Sequence, residues 1–385
     1  MINIKTNNYE SDWQAPDSFD LHPKLIVDWR PDIEEIKQLM QPYEQYKNII
    51  VIGNGGSIST LEGYWQALGR HSEKTLTIVD TMEPDRLRDV MRCNPPEGRL
   101  VMAISKSGDT VGVIEAMLAF EDYHKLILTM PGRGAISQIA EKLDIPVLAL
   151  PQIGGRFSGR SIAAYGAAHL LGIDIAAIEA GARSLIDELY NNNQALEIAK
   201  FIGTNAQKGT NEIYAPVYSS CLSGFNHLVT QLIHESAAKD GKGVTILTMA
   251  APECQHHSNQ RFFGGPRNMM GIITTLYDAE ELISVSVPEA IQDISIGEGK
   301  VGDLARHDLQ FAINAEATGT IGDAKEKGIP LLTIEIEKID AAMVGSYVVI
   351  WQLVAIYLAQ IFGVDPYNQP HVERSKDISF SERLN

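Results

Sequence analysis

A chain of 385 residues with 49 acidic against 32 basic side chains, a net charge of −17, has room for two or three domains or one large α/β unit. The acidic excess argues against a nucleic-acid or anionic-membrane partner, although a local basic pocket is compatible with it. Three cysteines, Cys93, Cys221 and Cys254, have neither metal nor redox spacing and fit a reducing, cytoplasmic compartment.

Residues 1–44 are polar with scattered Trp and Pro, lack the apolar core of a signal peptide, and read as an N-terminal cover with a charged helix around Asp32–Met40. Asn48–Ile52 (NIIVI) is the first buried strand and runs into Gly53, Asn54, Gly55, Gly56 and Ser57, then a helix through Leu61, Tyr64, Trp65 and Leu68. The glycine spacing is not the dinucleotide GxGxxG, although Asp80 after the strand Thr75–Val79 is a partial signal for a ribose; a loop shaped for a small phosphorylated ligand is preferred.

Leu100–Thr110 (LVMAISKSGDT) is strand then hydroxyl-rich turn, and Val111 opens a helical pattern through Ile114, Met117, Leu118 and Phe120. Amide hydrogens and the positive dipole end meet at such a helix start, hydroxyls add donors, and Gly108 lets the backbone come close, all of which suits a phosphate. An ordinary helix-capping turn reads the same way. Strands at Leu126–Leu128 and Val147–Leu150 continue the alternation, so a parallel sheet covered on both faces is expected, with ligands at the carboxyl ends of its strands. Pro151–Ser161 (PQIGGRFSGRS) follows at the same edge, with a helix expected to start near Gly159. Arg156 there is either a pocket cation or a surface arginine beside a flexible turn.

Asn191–Asn193 is the expected domain boundary. Beyond it Ile213–Ser219, Val244–Thr248, Gly271–Tyr277, Leu282–Val287 and Leu331–Ile336 read as strands, so two α/β halves are expected, 45–190 and 191–364, with a polar arm over 365–385. Phe225–Lys239 reads as a helix with Glu235 near its end, where a carboxylate is ordinarily a solvated surface group. Gln255–Gln260 (QHHSNQ) reads as a polar loop; adjacent histidines seldom bind one metal, and an acid/base or ligand-binding role is the alternative. Ala341–Val364 carries no charge and has the length of a membrane span, but Ser346, Gln352 and Gln360 and the lack of basic flanks favour a buried core helix. In Asp365–Lys376, Gln369 and Lys376 lie about two helical turns apart.

Six of these segments, in order, resemble the signatures of the phosphoglucose isomerase family. GNGGS is similar to its GIGGS, SKSGDT to its SKSGTT turn, GGRFS to its GGRFS/GGRYS turn, HESAAK to its ESxGK, QHHSNQ to its QHSxxQ and NQPHVERSK to its DQPGVExxK. Thr318–Ile336 also resembles the family segment before the last helices. The resemblance runs from Asn48 to Ile378 and implies two SIS-type (sugar isomerase) doubly wound α/β domains with a C-terminal arm. The implied activity is aldose–ketose isomerisation of glucose 6-phosphate and fructose 6-phosphate in glycolysis and gluconeogenesis, without metal or organic cofactor.

Carried over, Glu235 is the base between C1 and C2 and Arg156 stabilises the enediolate. His256 (or His257, a register choice) opens the sugar ring, and Lys376 lies near the ring oxygen. Gly56, Ser57, Ser105, Lys106, Ser107 and Thr110 hold the phosphate, and Gln369 contacts the substrate. The family is dimeric with its histidine reaching across, which implies a homodimer with shared sites. Val111 and Gly112 depart from the family's hydroxyl and glutamate, Ala238 and His371 replace glycines, and the chain is shorter than typical members, implying fewer peripheral helices. A bifunctional enzyme that also takes mannose 6-phosphate is a second reading, against which Gln369 speaks, since that branch usually has threonine. A non-catalytic sugar-phosphate-binding SIS protein is a third.

Overall fold

The computed structural model describes residues 1–385 and contains ten main strands. These are β1 (Ile2–Asn7), β2 (Asn48–Gly53), β3 (Thr75–Val79), β4 (Arg99–Ser105), β5 (His124–Thr129), β6 (Val147–Ala149), β7 (Glu212–Tyr218), β8 (Thr245–Ala250), β9 (Met269–Leu276) and β10 (Leu331–Ile336). The run Ile49–Ile52 of β2 is buried to within 1% of its surface, as a strand covered on both faces must be. Five parallel strands in the order β3-β2-β4-β5-β6 make the first sheet, and β1-β10-β9-β7-β8 the second, antiparallel only where β1 joins β10.

The chain enters the first sheet at β2, lays β3 on one side and β4 on the other. The topological switch therefore falls between β2 and β4, where a ligand crevice is expected. Their register pairs Gly53 with Ile104, so the turns that follow the two strands sit side by side. The first turn feeds α1 (Gly56–Leu68) and the second α2 (Val111–Ala119).

The uncharged segment near the C-terminus forms α7 (Ala341–Phe362), capped by Asp340 and ended by Gly363 in the left-handed conformation. It is long and apolar enough to cross a membrane, but 83% of its 18-residue apolar window lies inside the protein. It packs along Ile175–Glu188 and Gln194–Gln207, and one apolar core joins it to Ile49 and Val51 of the first sheet and Ile213 and Ile272 of the second.

Four local expectations are corrected. Ile2–Asn7 is a strand, paired to β10 over its whole length, inside a region read as polar cover. Leu282–Val287 is not a strand: its alternating pattern meets only an isolated bridge, Ser284 to Asp308. Gln255–Gly264 is a helix, α6, rather than a loop. Gly155–Arg160 is a 3-10 turn, and the following helix starts at Ile162, with Ser161 capping it through the amide of Ala163.

Candidate active site

The switch point opens into a cleft of about 560 Å³. Its phosphate side is built from two helix starts. At the beginnings of α1 and α2 the amides of the first two residues have no acceptor within their helix, a natural setting for an anion. Gly56, Ser57, Ser105, Lys106, Ser107 and Thr110 all line this side. Ser105 Oγ donates to Thr110 Oγ1 at 3.0 Å, with Ser107 Oγ 3.5 Å from the same atom, so the hydroxyls are held as a group. Burial, then the nearby charges of Arg133 and Arg156, pull the Lys106 pKa down, and a bound dianion would relieve that repulsion.

Two turn residues have a different task from the one the sequence suggests. A Cβ at Gly108 would meet Arg133 O at 2.3 Å, so this glycine makes room for protein backbone and not for a ligand. Asp109 Oδ1 accepts from Ala135 N at 2.8 Å and thereby holds the start of α3 (Gly134–Lys142). Gly56 is a true close approach: a Cβ there would lie 2.3 Å from Arg156 Cα, so the glycine lets the phosphate turn touch the arginine turn. The departure at Gly112 also has a physical counterpart. A Cβ at that position would meet Met82 Cε at 2.5 Å, and Met82 occupies the space a longer side chain would need.

Arg156 and Glu235 line the same cleft, Arg156 directly against the turn of Gly56. The turn carrying Arg156 is fixed by its neighbour Arg160, a buried cation whose Nε donates to Glu179 Oε2 at 2.9 Å and whose Nη2 donates to Glu179 Oε1 at 2.5 Å. Glu179 belongs to α4 (Ile175–Glu188). Arg156 itself is 2% exposed and every one of its five N–H groups has an acceptor. Nε donates to Ser236 Oγ at 2.9 Å, Nη1 to Glu235 Oε2 at 2.9 Å and Gln369 Oε1 at 2.5 Å, and Nη2 to Pro366 O at 2.6 Å and Asn368 O at 3.2 Å. Glu235 sits on α5 (Asn226–Ala237), its side chain 31% exposed, so it is neither a free surface carboxylate nor sealed from the cleft.

The sequence reading missed Gln231. One turn before Glu235 on α5, its Nε2 donates to Glu235 Oε1 at 2.9 Å, so both carboxylate oxygens are held. The four-residue spacing on one helix face was the available signal. Gln231, with Asn54 and Gly55, also lines an adjoining groove of about 700 Å³ that contains none of the expected catalytic groups.

Gln369 and Lys376 line the cleft from the arm. Lys376 lies on α8 (Glu373–Glu382) and pairs with Glu373 at 2.7 Å. His371 faces away and meets Asp240 Oδ1 at 3.1 Å; it is not a lining residue. Ala238 ends α5 with φ −100°, a conformation that needs no glycine. His256 is the one expected site residue that does not line the cleft of its own chain. On α6 the inward face is pinned by polar bonds: Gln255 Nε2 donates to Tyr218 Oη at 2.5 Å and Tyr214 Oη donates to Asn259 Oδ1 at 3.0 Å. His256 and His257 are therefore turned outward. His257 is bonded to Ser258 Oγ at 2.7 Å, whereas the His256 ring has no partner within the chain.

The helix bearing Glu235 also contains a pH-sensitive joint. His234 Nε2 accepts from Ile246 N at 3.1 Å, and burial pulls its pKa below the ordinary 6.5. The unfolded chain binds a proton near that value that the folded chain refuses until lower pH, so stability present above pH 6.5 is lost as pH falls through and below it. Thermal unfolding followed from pH 7.5 to 5 should show this decline, and His234→Gln should flatten it; an unchanged slope would exclude His234 as the cause.

No protein-family model matches the chain. Among curated proteins, it is 28% identical over 325 residues to a glucose-6-phosphate isomerase of Rubrobacter xylanophilus, covering 80% of this chain and 73% of the relative. It is 24% identical over 364 residues to a glucose-6-phosphate isomerase of Campylobacter jejuni, covering 89% and 87%. Among solved structures, a hypothetical protein of Thermus thermophilus superposes with a TM-score of 0.85 at 22% identity, over 94% of this chain and 89% of that one. A glucose-6-phosphate isomerase of Chlamydia trachomatis superposes with a TM-score of 0.77 at 17% identity, over 91% and 72%.

Proposed function

We propose that this chain, a member of the phosphoglucose isomerase family, interconverts glucose 6-phosphate and fructose 6-phosphate, a step of glycolysis and gluconeogenesis. The observation that carries the reading is the convergence of Glu235, Arg156 and Gln369 in one cleft with two helix starts. Phosphate on the helix starts holds the sugar with its reacting end toward Glu235. Glu235 takes the proton from C2 of the open-chain aldose. The C–H electron pair becomes the C1=C2 double bond, and the carbonyl pair passes to O1. A proton moves from O2 to O1, and the O2 electrons re-form a carbonyl as C1 takes its proton back from Glu235. One carboxylate within reach of both carbons is sufficient for these transfers.

Arg156 is already fixed beside Glu235, so negative charge building on O1 and O2 competes with Gln369 Oε1 for the Nη1 hydrogen. Ring opening precedes this step, with Lys376 at the ring oxygen and His256 of the partner subunit as the second group. The outward, unpartnered His256 supports that division and with it a homodimer with shared sites. The three free cysteines support a cytoplasmic setting.

Fructose 6-phosphate, coupled through a glucose-6-phosphate dehydrogenase, tests the activity, with mannose 6-phosphate run in parallel. Turnover of fructose 6-phosphate alone is expected. Tight binding without turnover would turn the reading toward a sugar-phosphate-binding protein, and turnover of both sugars toward the bifunctional branch.

A further inference from the structure

We propose that Lys239 is a positioning residue. It clips the Asp365–Asn368 turn so that Gln369 stays on Arg156 and Lys376 stays at the cleft, an inference that rests on the isomerase reading above. Lys239 is the second residue past the helix that carries Glu235, and it is 6% exposed, rare for a lysine. Its ammonium has three hydrogens and finds three acceptors on one short turn: Asp365 O at 2.7 Å, Asn368 O at 2.6 Å and Asn368 Oδ1 at 3.1 Å. Arg156 Nη2 shares Asn368 O at 3.2 Å, so two buried cations grip the same carbonyl. Burial and the neighbouring Arg156 pull the lysine pKa down, while Asp365, Asp240 and Glu235 oppose that shift.

The arm has little else to hold it. No residue from Asp365 to Asn385 is buried. Its remaining attachments are the exposed His371–Asp240 pair, the Tyr367 ring 6.0 Å from Phe157, and, at the far end, Arg383 bonded to Glu115 at 2.7 and 3.0 Å. The part that carries Gln369 therefore depends on the two cations. With Lys239 removed, Asp365 O and Asn368 Oδ1 would lose their donor and Arg156 alone would hold the turn, through Pro366 O, Asn368 O and Gln369 Oε1, so the turn that places Gln369 on Nη1 would loosen. The phosphate side is untouched, because Lys239 makes no bond to either helix start.

Steady-state kinetics of Lys239→Met, Gln369→Ala and the double variant test this. For Lys239→Met, kcat is expected to fall by about 10²-fold, the scale of a misplaced site group, while KM stays within about threefold. The double variant should be no slower than Lys239→Met alone, because the lysine acts through the arm. Losses that multiply, a defect confined to KM, or wild-type kcat would overturn the proposal.

Limited trypsin digestion gives a readout independent of activity. In Lys239→Met, cleavage at Arg374, Lys376 and Arg383 should quicken while the remainder of the chain resists, and an unchanged rate would overturn the clip. If the wild type lacks isomerase activity, digestion still separates a wrong clip from a wrong reaction. Lys239→Gln, which keeps a donor, replaces the methionine variant if that one is insoluble. Insolubility of both would make Lys239 a folding residue and end the proposal.

Discussion

Glu235→Gln should lower kcat for fructose 6-phosphate by about 10³-fold or more, with little change in KM. The substitution keeps the size of the side chain and leaves an oxygen for Arg156 Nη1 (now at 2.9 Å from Oε2), but an amide cannot accept the proton from carbon. The facing group can adjust, since Gln231 is itself an amide and can turn its oxygen toward the new NH₂. The phosphate side lies on other elements, so binding should survive. Circular dichroism and the unfolding midpoint establish that the variant is folded. Substantial turnover in a folded Glu235→Gln protein would keep the reaction and move the base elsewhere.

The second large effect concerns His256. His256→Ala should be severely slowed on ring-closed substrate although the residue lies outside the cleft of its own chain. If each cleft takes its histidine from the partner, then mixing Glu235→Gln with His256→Ala proteins rebuilds intact sites. Random exchange makes half of the dimers mixed. In each mixed dimer one site carries both defects and the other carries neither, so about a quarter of wild-type activity should return. Exchange is verified by a mass tag on one protein. Complete exchange without restored activity would rule out shared sites and return the histidine role to another residue.

Much of the scaffold was legible because its signals are local. Ile49–Ile52 and Leu100–Ile104 are apolar without alternation, and each is followed at once by glycines or hydroxyls and a helical pattern; that combination describes a strand end at a ligand crevice. What remained hidden depends on distant partners. β1 is half polar because an edge strand buries one side, and its identity comes from pairing with residues more than 320 positions away. Leu282–Val287 has the alternation of a strand without a neighbour to complete it. Helix α6 escaped notice because much of its inward face is polar. Gln255 and Asn259 are satisfied by Tyr218 and Tyr214 from β7, so the expected apolar stripe is weak. At the cleft, the sequence supplied the residue types but not their division of labour: Gly108 and Asp109 serve the neighbouring helix, Gln231, unnoticed in the chain, holds the Glu235 carboxylate, and Lys239, read only as the end of HESAAK, holds the arm.

The central claim is that a carboxylate at this cleft moves a proton between adjacent carbons. Nuclear magnetic resonance of fructose 6-phosphate carried to equilibrium by the wild-type protein in deuterated water tests it most directly. A protonated Glu235, partly open to the cleft, exchanges with solvent, so deuterium should accumulate at C2 of glucose 6-phosphate and at C1 of fructose 6-phosphate, and Glu235→Gln should abolish both signals. Full interconversion with no deuterium at either carbon would mean that hydrogen travels with its electrons, and it would contradict the account.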